Sequence, residues 1–218
     1  MNSTNKFSFD TIKNFDDHIA KSIPNYDLLC ESIISLVPNF LTPNTAIIDL
    51  GCSTGKLLES IPFDGRKIGY DKSKNLLPAS HGKTSYMLRD VTTVSHFVDA
   101  SVVLSVFTTQ FIDRNKRQDL LNRIYSCLVN GGAFIWAEKV HAYDSFWEHL
   151  FTTAHYDFKR KSFTAEEILD KEQELRTVMH LQTSEENQKM AWEAGFRKTA
   201  LLWKFFNFEC RVFVKNEG

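Results

Sequence analysis

Near the N-terminus apolar residues recur every three or four positions, so that Leu29, Ile33, Leu36 and Val37 share one helical face. This predicts helices over Asp16–Ile23 and Tyr26–Val37, broken at Pro24 and closed by Pro38. From Thr45 the period changes. TAIIDL is a short apolar run that reaches Asp49, and GCSTG follows directly. Lys56–Ile61 reads as a helix. KIGYD ends in Asp71 and leads into a short helix, and TSYML, leading to Asp90, repeats the arrangement. ASVVLSVF has no apolar–polar alternation, as expected of a strand covered on both faces. Arg114–Leu128 reads as a helix with Leu120, Leu121, Ile124 and Leu128 on one side, ended by Asn130-Gly131-Gly132. AFIWAEKV is a fifth strand. Asp144–Glu193 is almost entirely helical in pattern, and TALLWKF and FECRVFVK close the chain as two strands around Asn207.

Strand and helix therefore alternate from Thr45 to Val140, the sign of a parallel sheet with helices on both faces. The expected fold is α/β, a doubly wound, mostly parallel seven-stranded sheet in a single domain spanning 1–218. An N-terminal helical cap covers 1–42, and a helical insert after the fifth strand covers 143–195. Ligands of such sheets sit at the carboxyl ends of the strands, and a helical insert is placed to cover that edge.

Composition narrows the function. With 218 residues, the chain buries roughly 70% of its unfolded surface and needs no staples. A balance of 26 Lys plus Arg against 27 Asp plus Glu excludes a strongly basic nucleic-acid binder. No run approaches the roughly 18 apolar residues of a membrane span, and MNSTNKFSFD lacks the blocks of a signal peptide. Cys30, Cys52, Cys127 and Cys210 form no CxxC pair, which points to reduced thiols and a cytoplasmic protein. The seven histidines show no HExxH or paired spacing, so no metal site is expected.

Asp49-Leu-Gly51-Cys52-Ser53-Thr-Gly55 sits where the first strand becomes the first helix. It is one residue too short for a P-loop, and the nicotinamide fingerprint would need Gly at Ser53 and Lys56. What remains is D-x-G-x-x-x-G, the first motif of class I S-adenosylmethionine (SAM) methyltransferases, or else a plain strand-to-helix turn. Asp71, 22 residues after Asp49, is placed to accept from ribose hydroxyls, and Asp90 from an adenine amino group. Three acids at the ends of three successive strands suit an adenosine pocket.

The chain resembles a narrower family. FDDHIAKSIPNYDLL, IIDLGCSTG, SVVLSVFTTQFI, RIYSCLVNGGAFIWAEK, HYDFKR and the closing FNF are similar to the carboxy-S-adenosylmethionine (carboxy-SAM) synthases, from about Phe15 to Val214. The resemblance implies a Rossmann-like class I methyltransferase fold and a homodimer. It also implies a part in bacterial wobble-uridine tRNA modification, by conversion of SAM and prephenate to carboxy-SAM and phenylpyruvate. By position it implies that Tyr26 closes over the ligand and that Gly51, Cys52 and Ser53 flank its amino-acid part. Asp71 takes the ribose with Lys72 beside it, and Asp90 and Val91 take the adenine edge. Gly55 and Ser105 complete the candidate cofactor set.

Two positions depart from the family. Val106 stands where the family has Asn, and Glu172 where it has the Arg that pairs with the carboxylate of carboxy-SAM. A charge-assisted bond of that kind is worth about 1.5–3 kcal/mol, and a Glu would repel the same group. Lys171 and Arg176 are near but out of register, and Glu172 facing solvent on a differently packed insert is the bland alternative.

The expected function is therefore a SAM-dependent methyltransferase acting on a small molecule, with no catalytic base identified. The alternatives are a carboxy-SAM synthase with a relocated cation and a non-catalytic SAM-binding protein. His155, Lys159 and Arg160, with Glu172, are the candidate substrate or specificity residues. Arg114, Lys116, Arg117 and Lys159 to Lys161 leave contact with tRNA open.

Overall fold

The structure is a computed structural model that describes Phe9 and residues 14–216. Residues 1–8 and 10–13 of the expected cap, which hold most of the stretch read for a signal peptide, lie outside them. Two helices open the chain, α1 (Phe15–Ser22) and α2 (Tyr26–Leu36), with Pro38 carried in a 3₁₀ turn, Val37–Phe40. Then come β1 (Ala46–Leu50), α3 (Lys56–Ser60), β2 (Arg66–Asp71), β3 (Thr84–Leu88), β4 (Ala100–Val106), α4 (Arg114–Cys127) and β5 (Leu128–Lys139). Helices α5 (Ser145–Lys159), α6 (Ala165–Arg176) and α7 (Ser184–Ala194) follow, and β6 (Lys198–Phe205) and β7 (Phe208–Val214) end the fold.

The seven strands form one sheet in the order β3-β2-β1-β4-β5-β7-β6, with β7 antiparallel to both of its neighbours. Strand order reverses between β1 and β4, which puts a ligand crevice at the carboxyl end of β1. All five residues of β1 are buried. Ile48, Val103, Leu121 and Phe134 belong to one core, which takes in Ala191 of α7. Leu29, Ile33, Ile47 and Leu104 belong to the other, against α2. No helix among the described residues is long and apolar enough to cross a membrane. All four cysteines are free thiols.

Two local expectations are corrected. The short helix expected after β2 is absent, and residues 72–83 run as turns and extended chain. Asp71 Oδ1 accepts from Ser73 N at 2.8 Å, and Pro78 further along cannot donate to a helical ladder. The Asn130-Gly131-Gly132 segment does not end α4, which stops at Cys127. It lies within β5, where pairing with β4 shifts register between Ala100 and Val102.

The helical insert divides by role. Its first two helices line the ligand edge, whereas Ala191 and Asn187 of α7 are buried against the sheet and α4. Both α6 and α7 start from capping boxes, Thr164 with Glu167 and Thr183 with Glu186, and α5 starts from Asp144, which accepts from Trp147 N at 3.0 Å.

Candidate active site

A cavity of about 1360 Å³ opens at the carboxyl edge of the sheet, enclosed by α1, α2, α5, α6 and the loops after the first five strands. Its first wall is the loop after β1. Gly51 N and Cys52 N donate to Tyr70 O at 2.7 and 3.0 Å, which presses the loop onto the end of β2. Gly51 has φ +81, and a Cβ there would stand 2.1 Å from Thr108 Oγ1, so only glycine lets the chain pass. Gly55 caps α3 at φ +75, where a Cβ would meet the Tyr86 hydroxyl at 2.3 Å. It shapes the turn and does not line the cavity.

Asp71 is held from both sides, by Ser53 N on Oδ2 at 2.9 Å and by Ser73 N on Oδ1 at 2.8 Å. Each carboxylate oxygen keeps a further lone pair for a ligand hydroxyl. Asp49 is buried at the end of β1, and burial, together with the charge of Asp71, pushes its carboxyl up to about 7. Asp90 accepts from Thr92 N at 2.9 Å and from Thr92 Oγ1 at 2.7 Å. Burial raises its pKa, but those two bonds, with Lys72 and Lys116 nearby, outweigh it and hold the carboxyl below its ordinary value. Tyr26, Lys72, Val91 and Val106 also line the cavity. Burial, then Cys30, keeps Tyr26 a neutral phenol, and burial pushes the Cys52 thiol far up, so Cys52 packs rather than reacts.

Two observations test whether this wall suits SAM. Ser53 lies at φ 50 with its hydroxyl buried and unpartnered among the described residues, on the cavity wall beside Asp71. Gly51 offers bare backbone where a ligand must approach closely. A hydroxyl short of a partner, a carboxylate with spare lone pairs and a bare backbone suit the polar amino-acid and ribose groups of SAM.

The opposite wall comes from β5, α5 and α6. Lys139 ends β5 and Lys159 ends α5, and both line the cavity. Burial, then Lys139, pulls Lys159 down to about 8. Burial likewise lowers Lys139, opposed by Glu172 and Glu148. Among the described residues neither ammonium has a carboxylate within the 4.0 Å of an ion pair. The near contact of Lys139 is the face of Phe208, 5.8 Å away. Glu172 faces the same space but is engaged elsewhere: Tyr156 Oη donates to its Oε2, and Arg176 Nη2 stands 3.9 Å from its Oε1. Lys171 pairs with Glu174 at 3.1 Å.

Two candidates lie off the cavity wall, and a third lines it in another role. Ser105 is buried with its hydroxyl bonded to Thr109 Oγ1 at 2.7 Å, and it is absent from the cavity wall. Arg160 pairs with Asp157 at 3.0 Å on the exposed side of α5, one residue past the inward-facing Lys159. His155 does line the cavity, but its Nε2 is 2.8 Å from Ser22 O, and burial lowers its pKa to about 3. It ties α5 to the end of α1 as a neutral imidazole.

Of the basic residues suggested for tRNA, Arg114, Lys116, Arg160 and Lys161 are exposed, whereas Arg117 and Lys159 are buried. Arg117 is fully buried and donates to Ile112 O at 2.9 Å, to Gln182 Oε1 at 2.7 Å and to His180 O. Arg114 donates to Leu181 O. Together they hold residues 180–182, whose first two positions line the cavity. Lys139, Tyr156, Phe107 and Thr108 were missed by sequence reasoning. For Lys139 a signal existed, since it ends the fifth strand as Asp49 and Asp71 end the first two.

No family model matches the chain. Among curated proteins it is 34% identical over 221 residues to a carboxy-S-adenosyl-L-methionine synthase of Pseudomonas putida, covering 93% of this chain and 89% of the relative. It is 33% identical over 218 residues to the synthase of Sodalis glossinidius, covering 94% and 88%. The synthase of Nitratiruptor is 31% identical over 226 residues, covering 97% and 94%. Solved structures share the fold at low identity. Human N-acetylserotonin methyltransferase in complex with SAM superposes with a TM-score of 0.60 at 16% identity, over 88% of this chain and 53% of that one. The SAM-dependent methyltransferase SibL gives 0.56 at 12%, over 88% and 55%.

Proposed function

The chain belongs to the carboxy-S-adenosyl-L-methionine synthase family, and we propose that, as a SAM-dependent transferase, it moves a carboxyl group from prephenate to the methyl carbon of SAM. The observation that carries this reading is the pair Lys139 and Lys159. Two ammonium groups stand in one wall, Lys159 buried and Lys139 half-buried, with no protein carboxylate within 4.0 Å of either among the described residues. An unpaired buried charge costs several kcal/mol, so the pair favours a ligand that brings its own carboxylate. Prephenate carries two carboxylates, and carboxy-SAM carries one more than SAM. In this reading the two lysines replace the family's Arg, whose place Glu172 takes. Asp71 would hold the ribose hydroxyls, Asp90 the adenine amino group, and Ser53 with the Gly51–Cys52 backbone the amino-acid end.

The chemistry balances without an added oxidant. Prephenate loses CO₂ and hydroxide and becomes phenylpyruvate. The methyl group of SAM loses a proton, its carbon bonds to CO₂, and the proton and hydroxide leave as water. Incubation of the protein with SAM, with and without prephenate, followed by mass analysis of the adenosyl product, tests this. Carboxy-SAM that depends on prephenate is expected, and SAM returned unchanged in both arms sinks the proposal.

A second reading, methyl transfer to a carboxylate-bearing acceptor, is favoured by Glu172. Its negative charge beside the lysines suits a sulfonium with a bare methyl better than one carrying a carboxylate. S-adenosylhomocysteine formed with a methylated acceptor would select it.

A further inference from the structure

A second, much smaller cavity of about 10 Å³ lies between β5, β7 and α7, and shares no lining residue with the first. Trp136, Glu138 and Asn187 stand on its wall, each at least nine-tenths buried. Trp136 Nε1, Glu138 Oε1 and Asn187 Oδ1 make no hydrogen bond of good geometry among the described residues, although the indole lies near enough to Glu138 to help lower its pKa. The first is an obligate donor and the other two are acceptors. Buried polar atoms are rarely left unpaired, and three gathered at one void call for a common partner.

We propose that this void is a site for one buried water molecule, whose oxygen accepts from Trp136 Nε1–H and whose two hydrogens go to Glu138 Oε1 and Asn187 Oδ1. The volume matches the roughly 10–15 Å³ that a single water requires, and three hydrogen bonds are the usual number for a buried water. A metal ion is the wrong occupant. The indole N–H and the Arg211 guanidinium on the same wall present positive ends to it, and Glu209 is already taken by Lys204 at 3.1 Å and Arg211 at 3.3 Å. An anion would face Glu138 and Glu209.

The water links β5 to α7 at the level of Glu138. Glu138 directly precedes Lys139, the cavity lysine, and Asn187 sits in the first turn of α7, whose cap Thr183 bridges to His141 just past β5. The site therefore steadies, from behind, the strand end that presents Lys139. It stands independently of the proposed reaction.

The test needs no activity. Protein labelled with ¹⁵N-tryptophan is studied at about pH 8, and the Trp136 indole is assigned with Trp136→Phe. A cross-peak from that indole proton to a long-lived water is expected, and it should vanish in Asn187→Leu, whose side chain fills the void. No such cross-peak in the folded wild type would mean that the indole bonds the Glu138 carboxylate directly, and would overturn the site. So would a cross-peak that survives in Asn187→Leu. If that variant does not fold, a crystal structure of the wild type decides: one water within hydrogen-bond distance of all three atoms supports the site, and an ion or a filled void refutes it.

Discussion

The backbone N–H of Ser53 lies 2.9 Å from Oδ2 of Asp71, so the loop after β1 is fastened to the last residue of β2. The bond orients the carboxylate before any ligand arrives, and it makes one acid serve both the loop and the pocket. A side chain fixed in this way loses little further freedom on binding.

Asp71→Ala should therefore weaken SAM binding by more than tenfold while the protein remains folded. Asp71 lies at the rim rather than in either core, and a hydrogen bond to a charged group is worth about 1.5–3 kcal/mol. Calorimetric titration with SAM measures this, and an unchanged affinity would remove Asp71 from the cofactor site.

Asp49 gives a pH signature. Its carboxyl is pushed up to about 7 in the folded protein from an ordinary 3.8. The folded state thus binds this proton more tightly than the unfolded chain. The stability it contributes is full below about pH 4 and is lost as pH rises through about 7. Glu138, raised to about 7 by burial against the pull of Arg117, acts in the same direction. Asp49→Asn should remove part of the decline and raise stability at pH 8 by on the order of 2–4 kcal/mol, read from urea unfolding. In the wild type, SAM affinity should rise between about pH 6 and 8, because a cationic ligand favours the ionised carboxylate, and the variant should lose that rise.

Competitive binding of SAM and carboxy-SAM separates the roles of the second wall. Lys159→Met should lower the affinity for carboxy-SAM about tenfold or more and leave SAM nearly unchanged, because one charge-assisted bond is lost. Glu172→Arg should move preference further towards carboxy-SAM. A Lys159→Met protein that still prefers carboxy-SAM would assign the carboxylate to another cation, with Lys139 the next to test.

Arg117→Met should cost about 3–5 kcal/mol of stability, since it leaves three acceptors at Ile112, His180 and Gln182 without their donor. Unfolding in urea measures the loss. A change below about 1 kcal/mol would mean that residues 180–182 are held by other contacts.

The family resemblance also implies a homodimer. Light scattering at micromolar concentration should report twice the 25.2 kDa of one chain, and a species of 25.2 kDa would refute the dimer.

Much of this protein was readable in its residue pattern. Asp49, Asp71 and Asp90 could be assigned to one edge because strands announce their ends locally, in apolar runs closed by polar residues and turns. Gly51 marked the first turn for the same reason: the requirement for positive φ belongs to the residue itself. Local signals failed where two local readings compete. Asn130-Gly131-Gly132 is an equally good helix stop and strand bulge, and the segment after Asp71 held helix-compatible residues that the Asx turn of Asp71 onto Ser73 N overruled.

What only the tertiary structure decided is which charges lose their water. Arg117, His155 and Lys159 each sit in polar segments that read as surface, and nothing in their neighbours along the chain says otherwise. They are buried because elements distant in sequence close over them: residues 180–182 over Arg117, the end of α1 over His155, β5 and α6 around Lys159. Desolvation depends on everything that packs within a few ångströms, whatever its place in the chain. The periodicity of side chains therefore specified the sheet and the cofactor edge, whereas the lysine wall and the buried polar node behind it emerged only when the chain was folded around them.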